Sequence, residues 1–131
     1  MFNKKKQPPI QSLIGRTTVI HGELRFVDGL RIDGEVHGDV IADSDQRSIL
    51  VISESARVVG KIRAGHVIIS GKVEGPVVSD ELLELQPKAS ITGDVRYELL
   101  EMHPGATIQG VLHPLKVDEK PALTLAASKT G

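Results

Sequence analysis

The sequence predicts an all-β solenoid, a chain wound so that each turn lies on the one before it. Three observations point there. One five-residue pattern (apolar, any, Gly, any, apolar) occurs eight times between residues 20 and 112, as in Ile20-His21-Gly22-Glu23-Leu24 and Ile91-Thr92-Gly93-Asp94-Val95. Six of its glycines, Gly22, Gly38, Gly60, Gly75, Gly93 and Gly110, are 16, 22, 15, 18 and 17 residues apart, a mean of about 18. The ungapped stretch from Leu83 to Gly93 lies over Leu100 to Gly110 at a shift of 17. Such a unit is too short for a strand, a helix and their loops.

Within a unit, apolar and polar residues alternate, the period of a strand. The two apolar residues of the pattern share one side. Among the sixteen intervening positions only Val59, Pro76 and Val111 are apolar, so one face is dry and the other wet. Parallel strands about 4.8 Å apart would then stack valine, isoleucine and leucine into ladders inside a tube. Glycine belongs where two faces meet and a side chain would enter the narrow interior or require an unfavourable φ. About six turns give a rod core of roughly 30 Å.

Residues 1–16 read as a disordered tail, because Pro8-Pro9 prevents a helix and the repeat has not begun. Met1, Phe2, Lys4, Lys5 and Lys6 read either as a start residue with a solubilising basic run or as a membrane foot, two apolar side chains followed by cations for anionic headgroups. A lysine near an anionic surface contributes ~1 kcal/mol. A buried Phe or Met adds about 1.5–3 kcal/mol. One foot therefore binds weakly, and many feet on one polymer bind tightly.

Residues 17–113 read as the solenoid, starting with Thr17-Thr18-Val19-Ile20. The run Asp43-Ser44-Asp45-Gln46-Arg47-Ser48 reads as an insertion bulging from one corner. Residues 114–131 read as a second disordered tail. No amphipathic helix covers either end, and bare solenoid ends invite a second copy to dock. Contact that repeats without closing gives a filament. The expected joint residues are Val19, Ile20 and Leu24 at one end and Ile108 and Leu112 at the other. Ile49, Leu82 and Leu99 precede matched inward leucines and are expected to face outward along one edge, read either as scattered surface residues or as a strip for lateral bundling or a partner.

Composition narrows the function. The 131-residue chain has a formal charge of -1, which offers no basic field for nucleic acid. It has no cysteine, hence no disulfide framework and no thiolate metal site. Phe2, Phe26 and Tyr97 are its aromatics, too few for a base-stacking platform. No stretch approaches the ~20 apolar residues of a membrane span. The cytoplasm is the expected location. The five histidines form no His-x-x-x-His pair, and His21 and His37 fall at outer strand positions. Gly-x-Gly-x-x-Gly and Gly-x-x-x-x-Gly-Lys-Ser/Thr are absent, so no nucleotide cradle is visible. Asp43 and Asp45 lack the glycine–aspartate repeats of calcium solenoids. No catalytic set, cofactor or metal is expected.

Leu30-Arg31-Ile32-Asp33-Gly34-Glu35-Val36-His37-Gly38, Ala56-Arg57-Val58-Val59-Gly60-Lys61-Ile62 and Val67-Ile68-Ile69-Ser70-Gly71-Lys72-Val73-Glu74-Gly75 resemble the bactofilins, in order and spacing over roughly residues 15–112. Met1-Phe2-Asn3-Lys4-Lys5 resembles the membrane-targeting start of many members. The resemblance implies a right-handed, three-sided β-helix between disordered tails. It also implies nucleotide-independent, non-polar filaments at the inner face of the cytoplasmic membrane, a scaffold that places cell-wall synthesis or hydrolysis proteins and shapes the cell. The chain departs from the family at Ile108, where members often carry Phe in the last turn. Two alternatives stay open. One is a solenoid adaptor that does not polymerise. The other is a hexapeptide-repeat acyltransferase, although glycine steps of 12, 4, 22, 11, 4, 18 and 17 do not keep a six-residue phase.

Overall fold

The computed structural model describes residues 9–43 and 47–115. In chain order the strands are β1 (Ser12–Ile14), β2 (Val19–His21), β3 (Leu24–Phe26), β4 (Gly29–Ile32) and β5 (Glu35–His37). Then come β6 (Val40–Ala42), β7 (Ile49–Ile52), β8 (Arg57–Val59), β9 (Ile62–Ile69) and β10 (Lys72–Glu74). The last five are β11 (Val77–Leu85), β12 (Ser90–Thr92), β13 (Val95–Met102), β14 (Thr107–Gln109) and β15 (Leu112–Pro114). All the pairings among them are parallel.

Register sorts the strands into three sides, six strands on each. The first side stacks β2, β5, β8, β10, β12 and β14. The second stacks β3, β6, the front halves of β9, β11 and β13, and then β15. The third stacks β1, β4, β7 and the rear halves of β9, β11 and β13. The fold is thus a parallel β-solenoid of about six turns.

Four aliphatic ladders fill its lumen. Ile20, Val36, Val58, Val73, Ile91 and Ile108 are in register on the first side. Leu24, Val40, Ile62, Val77, Val95 and Leu112 are in register on the second. On the third run Ile14, Ile32, Ile52, Ile69, Leu85 and Met102, and beside them Leu30, Leu50, Val67, Leu83 and Leu100. The middle members of every ladder are almost completely buried. At ~25 cal/mol per Å2 of apolar surface, these ladders are the main stabilising term.

The six glycines form a column at the corner between the first and second sides. A Cβ on Gly38, Gly60, Gly75, Gly93 or Gly110 would strike the carbonyl of the column glycine one turn earlier. Five of the six also have positive φ, between 134° and 152°. Both facts exclude a side chain, and they account for the motif.

The corner between the third and first sides takes two forms. The longer is a four-residue turn closed by a backbone hydrogen bond, from Thr18 to Gly15, Ala56 to Ser53, Ala89 to Gln86 and Ala106 to His103. Ala56 and Ala89 close their turns facing inward and are buried. The shorter form uses Gly34 or Gly71. These glycines sit against carbonyls of the preceding long turn, Gly15 and Thr18 for Gly34, Ser53 and Ala56 for Gly71.

The structure differs from expectation at the boundaries. The solenoid begins at β1, within the span read as a tail, and Ser12–Ile14 lies in register on Leu30–Ile32. This strand carries no glycine motif, and Ser12 stands where later turns place an inward Leu or Val. At the other end Pro114 continues β15, and the Leu115 N–H still donates to the Tyr97 carbonyl at 2.7 Å. Proline is tolerated because β15 is an edge strand. The membrane-foot residues 1–6, residues 116–131 and residues 44–46 of the insertion lie outside the described residues.

Candidate functional site

The two rims of the tube are the first candidate. At the N-terminal rim the ladders end in Ile14, Ile20 and Leu24, which pack on the core but remain partly exposed. At the C-terminal rim they end in Leu100, Ile108, Met102 and Leu112, the last two 44% and 41% exposed. Interior members of the same ladders are at or near zero. Among the described residues no element lies across either rim. Among the described residues, the edge strands β1, β2 and β3 at one end, and β14 and β15 at the other, each have a strand neighbour on one side only. Both rims therefore present apolar side chains and unpaired backbone groups together.

Of the expected joint residues, Ile20, Leu24, Ile108 and Leu112 end lumen ladders. Val19 does not. It is 54% exposed and in register with Glu35, Arg57, Lys72, Ser90 and Thr107, so it lies on the outer face of the first side. The alternation of β2 sends it outward when Ile20 points in. Exposed Leu13 on β1 and Val111 before β15 also flank the rims, and no glycine pattern marks Leu13.

The expected lateral strip is split by burial. Gly29, Ile49, His66, Leu82 and Leu99 follow one another in register. Ile49 is 8% exposed and His66 9%, Leu82 is half-buried, and Leu99 is 62% exposed. Only the C-terminal end of this row reaches solvent as an apolar surface.

Polar side chains staple the turns from outside. Arg57 bridges to Glu74 at 2.8 Å, Arg63 to Asp80 at 3.1 Å and Arg25 to Asp43 at 2.9 Å. Hydrogen bonds from Ser53 and then Arg31 hold the Asp33 carboxyl below its ordinary value. His21 and His37 stack one turn apart, ring centroids 5.0 Å, and His37 Nε2 lies 2.7 Å from Glu35. Such exposed pairs each contribute little to stability.

One cluster breaks this pattern of opposite charges. Register places Glu84 directly beside Glu101. Their ligand oxygens and a ring nitrogen of His103 lie within 4.8 Å of one another. Sequence reasoning passed over this group, although the 17-residue shift already superimposes Glu84 on Glu101.

The family model for Bactofilin, described as polymer-forming cytoskeletal, matches residues 12–113. Its start coincides with β1. Bactofilin BacO of Myxococcus xanthus (strain DK1622) is 27% identical over 95 residues, covering 72% of this chain and 72% of that protein. No solved structure matches the chain.

Proposed function

The chain belongs to the bactofilin family of polymer-forming cytoskeletal proteins, and from that premise we propose that it is a filament subunit joined to its copies rim to rim. The family is a structural one, and its polymer-forming character implies self-association. The proposed filament needs no nucleotide and is non-polar, like rims meeting like. It lies on the inner face of the cytoplasmic membrane through Met1, Phe2 and Lys4–Lys6 and places cell-wall or cell-shape proteins there.

The observation that carries this reading is the pair of uncovered rims. Each exposes the tips of the same ladders that make the core, so a second copy can continue the packing of the tube. Burying a Leu, Ile or Met from full exposure stabilises by about 1.5–3 kcal/mol. The four ladder tips of the C-terminal rim are already partly buried and yield less. Association costs at least 4 kcal/mol, by the low end of estimates. A single joint is therefore modest, and assembly should depend on protein concentration.

Electron microscopy of purified protein, without nucleotide and with or without lipid vesicles, tests the proposal. Filaments in both samples, lying along the vesicles where lipid is present, are expected. Monomers alone at every concentration, by microscopy and light scattering, would overturn it in favour of a non-polymerising adaptor.

A further inference from the structure

We propose that the outer face of the third side pairs with the same face of a second copy, the two rods lying side by side and antiparallel about a two-fold axis.

The turns are numbered one to six by their strands on this side, β1, β4, β7, β9, β11 and β13. The outward residues along the middle of the face are then Leu13, Arg31, Val51, Ile68, Glu84 and Glu101, in register. The row runs from basic through apolar to acidic. Arg31 is in turn two, and exposed Arg16 stands at the corner of turn one. Val51 and Ile68 hold the centre, outside the lumen and half-buried. Glu84 and Glu101 stand side by side in turns five and six, and like charges on neighbouring strands are destabilising. Among the described residues their ion-pair partners are the imidazoles of His66 and His103, not Lys or Arg.

A two-fold axis between turns three and four, lying in the face and across the rods, brings turn two of each copy to turn five of the other. Arg31 then meets the partner's Glu84, and Val51 meets the partner's Ile68. Leu13 meets the partner's Glu101 at the open ends, where Arg16 shares the turn. Each acidic end thus receives the basic end of the other copy, the juxtaposition of opposite potentials that selects one partner arrangement over another. In a parallel pair the axis runs along the rods, and Arg31 would face Arg31 and Glu84 face Glu84.

The corner beside this face fits the same register. Turns one, three, five and six end in the long corner, and turns two and four in the short one, at Gly34 and Gly71. An open groove of about 530 Å3 lies at turn two, lined by Arg16 and by Glu54 and Ser55 of the flanking long corners, and by Arg31, Asp33 and Val51 of the face. Antiparallel pairing sets the long corner of turn five against the short corner of turn two, and that of turn three against that of turn four. The partner's Lys88, on the corner of turn five, then reaches Asp33 and Glu54 in the groove. Within its own chain Lys88 is 74% exposed and 3.8 Å from Glu54, a loose contact that it can exchange. Sliding by one turn either way sets the long corner of turn three against another long corner. In the matched register long meets long only at the end turns, one and six.

The face measures about 29 Å by 13 Å, six strand spacings by four residues. Two such faces cover about 750 Å2, below the ~1,200 Å2 of a stable complex. One pair of subunits is therefore transient. Lasting pairs rest on the filament proposed above, whose many subunits add their contacts.

The chain has no cysteine, so introduced ones report directly. In Arg31→Cys/Glu84→Cys the two sites of one copy are three strand spacings, about 14 Å, apart, too far for a disulfide within the chain. Mild oxidation should give about five times the covalent dimer of either single variant, with no ladder of larger species, because a two-fold contact closes. No excess over the single variants, or a ladder, would overturn the proposal whether or not filaments form. By electron microscopy, wild-type filaments should lie in pairs. Arg31→Glu and Glu84→Arg filaments, their fold checked by circular dichroism, should be single, and the two kinds mixed after assembly should pair with each other. Charge-reversed filaments that pair as wild type does, or wild-type filaments that stay single, would also overturn it. Protein that cross-links yet forms no filaments would overturn the filament reading and support this face.

Discussion

At Gly75 the backbone φ is +146°, and a Cβ would run into the carbonyl of Gly60. Gly22 opens the same column with φ +134°, but no atom lies within 4 Å of where its Cβ would be. The two positions separate the conformational from the steric reason for glycine. Gly22→Ala should lose only the strain of its φ, about 1–3 kcal/mol. Gly75→Ala should lose that and also force the turns apart, with a clearly lower urea midpoint. Equal midpoints would remove close stacking as the cause. Asp33 gives a pH signature at the same scale. Its folded-state pKa is lowered by Ser53 and Arg31, so its stabilising contribution is present above the ordinary value of 3.8 and is lost as pH falls through the lowered one. The stability gap between wild type and Asp33→Asn should be full at neutral pH and shrink below about pH 4. A gap constant from pH 7 to pH 2 would count against this.

The ladders, the glycine column and the parallel stacking were all legible from alternation and period, because each turn repeats the same physical demand. What the repeat does not repeat was hidden. Strand β1 carries no motif. Strand β11 holds two residues, Asp80 and Glu81, where β9 and β13 each hold one, and a shift in register follows. No spacing announces that extra residue. Around it the chain passes from the second side to the third without leaving its strand, and the Gly65 backbone is left inside the bend. Two serines meet it there. The Gly65 N–H donates to Ser48 Oγ at 2.9 Å, and Ser79 Oγ–H donates to the Gly65 carbonyl at 2.8 Å. Ser48 and Ser79 are both buried. Ser79→Ala should therefore strand a buried carbonyl and cost about 1–3 kcal/mol, read from denaturant unfolding. An unchanged midpoint would mean that this corner finds another donor.

For the whole molecule, the question is how a weak foot and a modest joint could make a stable structure on a membrane. A single N-terminal segment is worth only a few kcal/mol at a lipid surface by the sums given above. A filament of many subunits holds many feet at once, so its avidity exceeds that of one foot by orders of magnitude. The joint and the lipid grip are then coupled, and a substitution far from the foot should release the protein from lipid. Ile108 is the position to change. It ends the ladder that begins at Ile20, it is half-buried, and among the described residues no turn follows it on the first side. Ile108→Asp places a charge at the rim without opening the interior. It should give short or monomeric species by sedimentation velocity, and far less protein should sediment with anionic vesicles although residues 1–6 are intact. Removing residues 1–6 should do the reverse, leaving filaments intact but free of vesicles. Val19→Asp, outward on the adjacent face, should change neither. If Ile108→Asp monomers held vesicles as firmly as wild-type filaments, one foot would suffice and the membrane would give no reason to polymerise.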